Sequence, residues 1–300
     1  MSARMHADQV DVDEELVRRL LAEQFPDWAG LPLAPVAEQG TDHALFRLGT
    51  ELVVRLPVIG GADGQAALEA EWLPGLAPDL PLELSVPLAL GDPGLGYPFR
   101  WSVNPWLTGD RLDPASVVAV ELARDLAGFV RAVRSCDTTG AGRFGSRGGP
   151  LSEPERDAST RAALGAIGDL VDASAALVVW DEGCAAPAWD GPPTWFHGDL
   201  TAGNLLVRDG RLSGVLDWGP FGVGDPAVEL HAAYQLFDSD GRTVFRGYLD
   251  DDDAMWARAR AWAVSIAAME VAYYRHSRQE FVSRSIRAIE QVLADPMSVG

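Results

Sequence analysis

Apolar residues recur at helical spacing in VDEELVRRLLAEQFPDW, at Leu16, Leu20 and Leu21, and the pattern stops at Pro26. The period then changes. GTDHALFRLGTELVVRLP reads as two β-strands, ALFRL and ELVVRL, joined by a two-residue Gly-Thr turn, so a hairpin is expected. Residues 63–76 predict a helix, and proline-marked runs over 85–90 and 97–107 predict further strands. The first third of the chain is thus expected to form an antiparallel sheet with helices beside it.

From Pro114 the pattern is helical. DPASVVAVELARDLAGFVRAV places Asp113 at an N-cap, Pro114 at the first helical position, and a continuous apolar stripe behind them. Residues 138–154, TTGAGRFGSRGGPLSEP, are rich in Gly and Ser and predict a mobile surface loop. A helix is expected over 155–177, then three short strands (TWFH, NLLVRD and LSGVLDW), then helices over 226–237, 243–249, 252–276 and 279–293. Strands first and helices after, with a small strand cluster between, predict an α+β chain of two lobes, 1–103 and 104–300, with a hinge about 104–109.

Composition narrows the setting. A hydrophobic fraction of 47% with 23% charged residues is that of a soluble globular protein, and no run of eighteen apolar residues offers a membrane span. The polar, acidic N-terminus has no apolar signal core, so a cytoplasmic location is expected, with Cys136 and Cys184 as reduced thiols. A net charge of −20 disfavours nucleic acid and anionic membranes as partners and favours a cationic small molecule. Every one of the 24 Lys-or-Arg positions is arginine.

FHGDLTAGN, residues 196–204, sets a histidine, an aspartate and an asparagine together after an apolar strand. Thirteen residues beyond Asn204, VLDWG places Asp217 at the end of another strand. Asp and Asn cap turns everywhere, so either motif alone says little. Together their order and spacing match the kinase apparatus H-R-D-L-x-x-x-N followed by D-F-G. Phosphoryl transfer needs a hydroxyl aligned with the γ-phosphate, and magnesium to neutralise phosphate oxygens. A carboxylate and an amide oxygen suit that ion, and a further carboxylate must steer the hydroxyl proton. Asp199 fits the proton role; Asn204 and Asp217 fit the metal. His197 suits a hydrogen-bonding buttress of the catalytic loop rather than proton transfer, and a zinc role is disfavoured because His6, His43, His231 and His276 show no ligand spacing to it.

On HGDLTAGN, LDWG and GDPAVE the chain resembles the aminoglycoside phosphotransferase family, antibiotic kinases with a protein-kinase-like fold. GTDHALFRLG, LVVRLP, EWLPGLAPDLPL, GYPFRWSVNPWLTGD and the C-terminal helices stand in the family's order, so the resemblance covers nearly the whole chain. It implies a bilobal α+β fold. A small antiparallel-sheet N-lobe would bind nucleotide, and a mainly helical C-lobe would hold catalysis and the acceptor. It also implies that Asp225, a helix cap in GDPAVE, steadies the catalytic loop. Gly40, Thr41 and Asp42 fall in the phosphate-covering region, and Pro105, Trp106 and Leu107 in the hinge that meets the base.

Arg55 stands where the family's commonest pattern has lysine; a guanidinium can bind phosphate through two donors. Its carboxylate partner is expected on the next helix, where Glu69 and Glu71 compete, and the family's pattern favours Glu69. Glu229, Glu270 and the run 250–253 are the carboxylates available to a cationic acceptor, while Tyr274, Tyr273 and Trp262 are available to an apolar one. The implied activity is magnesium-dependent transfer of phosphate from ATP or GTP to an aminoglycoside-type antibiotic. The alternatives are a macrolide, or a sugar or amino alcohol. A non-catalytic, pseudokinase-like nucleotide binder is the contrasting class, favoured by the missing lysine and opposed by the intact Asp199, Asn204 and Asp217.

Overall fold

The computed structural model describes residues 9–37, 42–113, 115, 119–142 and 144–295. Gly40, Thr41 and Pro114 lie outside the described residues. The chain divides into two compact units. The first comprises Met1–Pro78, Glu83–Thr108 and Gly214–Gly219; the second comprises Asp79–Leu82, Gly109–Ser213 and Pro220–Gly300.

In chain order the first unit holds α1 (Glu14–Gln24), β1 (Leu33–Pro35), β2 (His43–Leu48), β3 (Leu52–Pro57), α2 (Gln65–Leu76), β4 (Glu83–Leu84), β5 (Ala89–Gly91) and β6 (Trp101–Pro105). Asp13 caps α1 by accepting the Leu16 amide at 2.8 Å. Five strands form an antiparallel sheet in the order β1-β2-β3-β6-β5. Val17, Leu20 and Leu21 of α1 join Phe46, Leu48, Val54, Leu56, Trp101 and Val103 of the sheet in one core. Each such fully buried aliphatic side chain contributes about 1.5–3 kcal/mol.

Two expectations need correction here. Leu48 pairs with Leu52, so the hairpin turn has three residues, 49–51, rather than two. Glu51 is outside the β2–β3 pairing, and its carbonyl accepts the Trp106 amide at 2.7 Å, in register with the pairing of β3 with β6. Of the strand expected over 85–90 only 89–90 is strand, within β5; residues 85–88, which include Pro87 with no N–H to give a ladder, separate it from β4.

The second unit holds β7 (Asp110–Arg111), α3 (Ala119–Ser135), α4 (Pro154–Ala166), α5 (Ala173–Ala185), β8 (Thr194–Phe196), β9 (Leu205–Arg208), most of β10 (Arg211–Val215), β11 (Gly222–Gly224), α6 (Ala232–Leu236), α7 (Ser239–Leu249), α8 (Asp253–Tyr274) and α9 (Gln279–Leu293). The last two residues of β10 belong to the first unit, where they pair in parallel with β4. The middle of helix α8, residues 258–268, is buried on all sides, and the helix packs against α4, α5 and α9. No helix among the described residues is long and apolar enough to cross a membrane. The single helix expected over 155–177 is two, because Asp172 caps a new start by accepting the Ala175 amide at 3.0 Å. The helix expected over 226–237 opens as a 3-10 turn over Pro226–His231 before α6.

The Gly/Ser-rich segment differs most from expectation. Although most of its described residues are exposed or half-exposed, it makes close contacts with β11. Phe144 bridges to Val223 of β11, and its ring meets Trp195 and Phe221 edge-on at 5.5 and 5.4 Å. Its glycines serve close approach: a Cβ on Gly224 would lie 2.5 Å from the Gly148 carbonyl oxygen. Gly224→Ala must push the two backbones apart, so it is expected to lower unfolding stability by about 1–3 kcal/mol in chemical denaturation. It should also open the 138–153 segment to limited proteolysis; unchanged stability and protection would contradict this packing.

Candidate functional site

In the first unit β3 and α2 bring together the side chains singled out in sequence. Arg55 Nη1 donates to Glu69 Oε2 at 2.7 Å, with the side chains 11% and 1% exposed. Glu71 is exposed and takes no part. Arg55 Nη2 lies 3.7 Å from Asp217 Oδ1. Burial works against the guanidinium's charge, but the carboxylates of Glu69 and Asp217 outweigh it and raise its pKa.

Gln65, one helical turn before Glu69, completes the cluster. Its Nε2 donates to Glu69 Oε1 at 2.8 Å and to Asp217 Oδ1 at 3.4 Å. The i, i+4 spacing was a signal for it that motif reading passes over. His43 of β2 is held neutral, its pKa lowered to about 3 by burial first and Arg55 second. Asp217 has φ of +56°, a left-handed backbone that Asp tolerates better than most residues, and its side chain is 46% exposed.

Asp42 directly precedes β2, and its carbonyl accepts the Val58 amide at 2.8 Å. Of the three hinge candidates, Pro105 has no N–H, and the Trp106 amide is bound to Glu51. Arg47 covers the Trp106 ring at 3.9 Å. Leu107, half-buried, is the remaining one with an amide to offer.

In the second unit β8 delivers the chain into HGDLTAGN. His197 is fully buried, and its Nδ1 accepts the Asp199 amide at 3.1 Å. Gly198 holds φ of +85°, and a Cβ there would lie 2.9 Å from the Pro220 carbonyl oxygen. Asn204 Nδ2 donates to both the Asp199 carbonyl and Asp199 Oδ2 at 2.9 Å. Its amide oxygen takes no part in these bonds. The Asp199 side chain remains 33% exposed.

The loop rests on Glu229. This residue was expected to be open to an acceptor, but it is buried, and its carboxylate accepts the amides of His197 and Gly198. Burial pushes its pKa up to about 7, against the lowering effects of those amides and of Arg134 and Arg147. Asp225 caps the 3-10 turn through the Ala227 amide and accepts Arg258 Nε at 2.7 Å, which ties the end of β11 to α8.

The other acceptor candidates are also engaged. Glu270 accepts from Arg284 at 2.5 Å and from Ser285, and Tyr274 packs edge-on against Tyr273 and Phe281. In the 250–253 run, Asp251 pairs with Arg134 at 2.9 Å, and Asp252 caps α8. The structure therefore does not gather these carboxylates into an open anionic wall. Among the described residues no group of three or more His, Cys, Asp or Glu could hold a metal.

The profile of the phosphotransferase enzyme family, APH, matches residues 34–262. No curated protein sequence matches the chain. Among solved structures, the GDP and kanamycin complex of APH(2'')-IIia is 17% identical, covers 95% of this chain and 100% of its own, and has a TM-score of 0.71. The ADP-bound aminoglycoside phosphotransferase APH(2'')-Ib is 18% identical over 94% of this chain and 97% of its own, with a TM-score of 0.58. The macrolide 2'-phosphotransferase MphH from Brachybacterium faecium is 23% identical over 95% of this chain and 98% of its own, with a TM-score of 0.59. At these identities the likeness is one of fold, and the α+β, kinase-like fold expected from the sequence is present.

The raised pKa of Glu229 has a stability consequence. The folded state holds a proton that the unfolded chain loses near 4.5, so the contribution of the neutral carboxyl is complete below about 4.5 and is lost as pH rises through about 7. The melting temperature of the wild type should therefore fall across that window relative to Glu229→Gln. Parallel curves for the two proteins would remove the assignment.

Proposed function

The chain belongs to the phosphotransferase enzyme family, and from that premise we propose that it is a magnesium- and nucleoside triphosphate-dependent O-phosphotransferase acting on a hydroxyl of a small molecule. The observation that carries this is the state of Asp199: a carboxylate one-third exposed, between the buried residues Gly198 and Leu200 and fastened from three sides by His197, Asn204 and Glu229. A fixed carboxylate with an open face is what a hydroxyl needs in order to be aimed and deprotonated.

In this reading the acceptor hydroxyl donates to Asp199. As its oxygen bonds to the γ-phosphorus, the bond from that phosphorus to the β-phosphate oxygen breaks. The electron pair leaves with the nucleoside diphosphate, and the hydroxyl proton passes to Asp199. Arg55, aligned by Glu69 and Gln65, supplies a permanent cation for the phosphates, in the place where lysine is commoner. Asp217 in the first unit and Asn204 in the second each carry an oxygen donor of the kind magnesium takes: Asp217 is an exposed carboxylate, and Asn204 has its amide nitrogen committed to Asp199. Such an ion would neutralise phosphate oxygens. Leu107 is the hinge residue proposed to meet the base, Asp42 belongs to the phosphate-covering region, and Asp225 steadies the loop from behind. The location proposed is the cytoplasm.

An aminoglycoside-type acceptor draws support from the neighbours solved with kanamycin, gentamicin and streptomycin, and a macrolide from MphH. The engagement of Glu229, Glu270 and Asp251 by the chain's own donors weighs against a polycation. We therefore take the acceptor to be a small-molecule alcohol and leave its charge to experiment.

Thermal-shift titrations should show stabilisation by ATP or GTP that depends on magnesium. A panel of aminoglycosides, macrolides, sugars and amino alcohols should yield one product heavier by a phosphate in mass spectrometry. Nucleotide binding with neither hydrolysis nor transfer would point to a non-catalytic binder instead. Asp199→Asn should cut transfer about 100- to 10,000-fold with the fold retained, and Asp217→Asn should abolish the magnesium-dependent part of the shift. Normal turnover in the Asp199 variant would end its assignment as the proton acceptor.

A further inference from the structure

One charged side chain beside Asp199 has no part in the scheme above. Arg147 sits in the segment pinned to β11 by Phe144 and by the contact of Gly148 with Gly224. Its side chain is 17% exposed, and Nη1 lies 3.9 Å from Asp199 Oδ1, beyond hydrogen-bond length. That nitrogen is buried and has no hydrogen-bond partner.

The other charges acting on it leave it unsatisfied. Glu229 is taken up by the His197 and Gly198 amides, and Glu270 by Arg284 and Ser285. Arg156 is a second cation and donates to the Ser146 carbonyl. His231 is buried and held neutral, its pKa lowered to about 4 by burial first and Arg147 second. Burial, the largest influence on Arg147, lowers its pKa against the pull of Asp199, Glu229 and Glu270. A guanidinium drawn out of water with a donor unmet is completed by an oxyanion.

We propose that Arg147 contacts the phosphoryl oxygens during transfer and carries part of their charge. The inference rests on the phosphotransferase reading. There the hydroxyl held at Asp199 becomes bonded to phosphorus, which brings three phosphoryl oxygens to the atoms next to Asp199. An arginine there gives two parallel donors and a charge at the moment the β-phosphate oxygen leaves. An anionic group on the acceptor would present the same oxygens, and the test separates the two sources.

Arg147→Gln and Arg147→Lys are compared with the wild type after circular dichroism and melting temperature have established their folding. The first measurement is magnesium-dependent ATP hydrolysis with no acceptor, in which water replaces the alcohol. The expected result is a kcat reduced about a hundredfold or more in Arg147→Gln, with KM for ATP little changed and part of the rate restored by lysine. The second is thermal stabilisation by inorganic phosphate, expected in the wild type and lost in Arg147→Gln.

Unchanged hydrolysis in a folded Arg147→Gln variant overturns the proposal. So does an effect confined to KM for an anionic acceptor, which would make the residue an acceptor contact. A wild type that hydrolyses no nucleotide defeats the phosphotransferase reading itself, and the phosphate titration then decides on Arg147 alone: equal shifts in both proteins overturn it.

Discussion

The second unit turns on one buried carboxylate. Glu229 receives two consecutive backbone amides from the turn that follows β8, and without it both would be buried donors with no acceptor. Leaving two such groups unmet costs about 1–3 kcal/mol each. That is a substantial share of the roughly 5–15 kcal/mol that holds a domain together. The same bonds fix where His197 lies, His197 fixes the Asp199 amide, and Asn204 closes the loop from the other side. The position of Asp199 is thus inherited from a residue thirty positions later in the chain.

The first unit solves a related problem differently. Arg55 and Glu69 are both removed from water, a costly arrangement unless the partners meet at short range and their remaining atoms are bonded. Gln65 supplies the missing bond on Glu69, and Asp217 adds a second negative charge beside Arg55. Each unit therefore holds the side chains proposed to act in it with buried polar contacts whose members come from separate elements. Loop composition alone does not reveal such contacts.

That distinction explains what could be read in advance. HGDLTAGN and LDWG stood out in the sequence because they are local patterns, with fixed residue types at fixed spacing between strands. The amphipathic α1 and the β2–β3 hairpin were legible because their periods are local too. Glu229 was misjudged: its spacing from GDP is visible in sequence, whereas its partners, His197 and Gly198, come close only through the pairing of β8 with β11. Arg147 was invisible for the opposite reason. Glycine beside serine reads as flexibility, but here glycine lets one backbone lie against another far along the chain. The break between α4 and α5 was a capping event at Asp172, within a pattern that otherwise continued to look helical.

A chain whose cations are all guanidinium groups has a chemical immunity. An ammonium in the place of Arg55 could be silenced by acylation or stripped of its proton by alkali; a guanidinium resists both. Reagents and enzymes that act on ε-amino groups find no target anywhere along these 300 residues, so the charge opposite Glu69 persists for as long as the first unit stays folded.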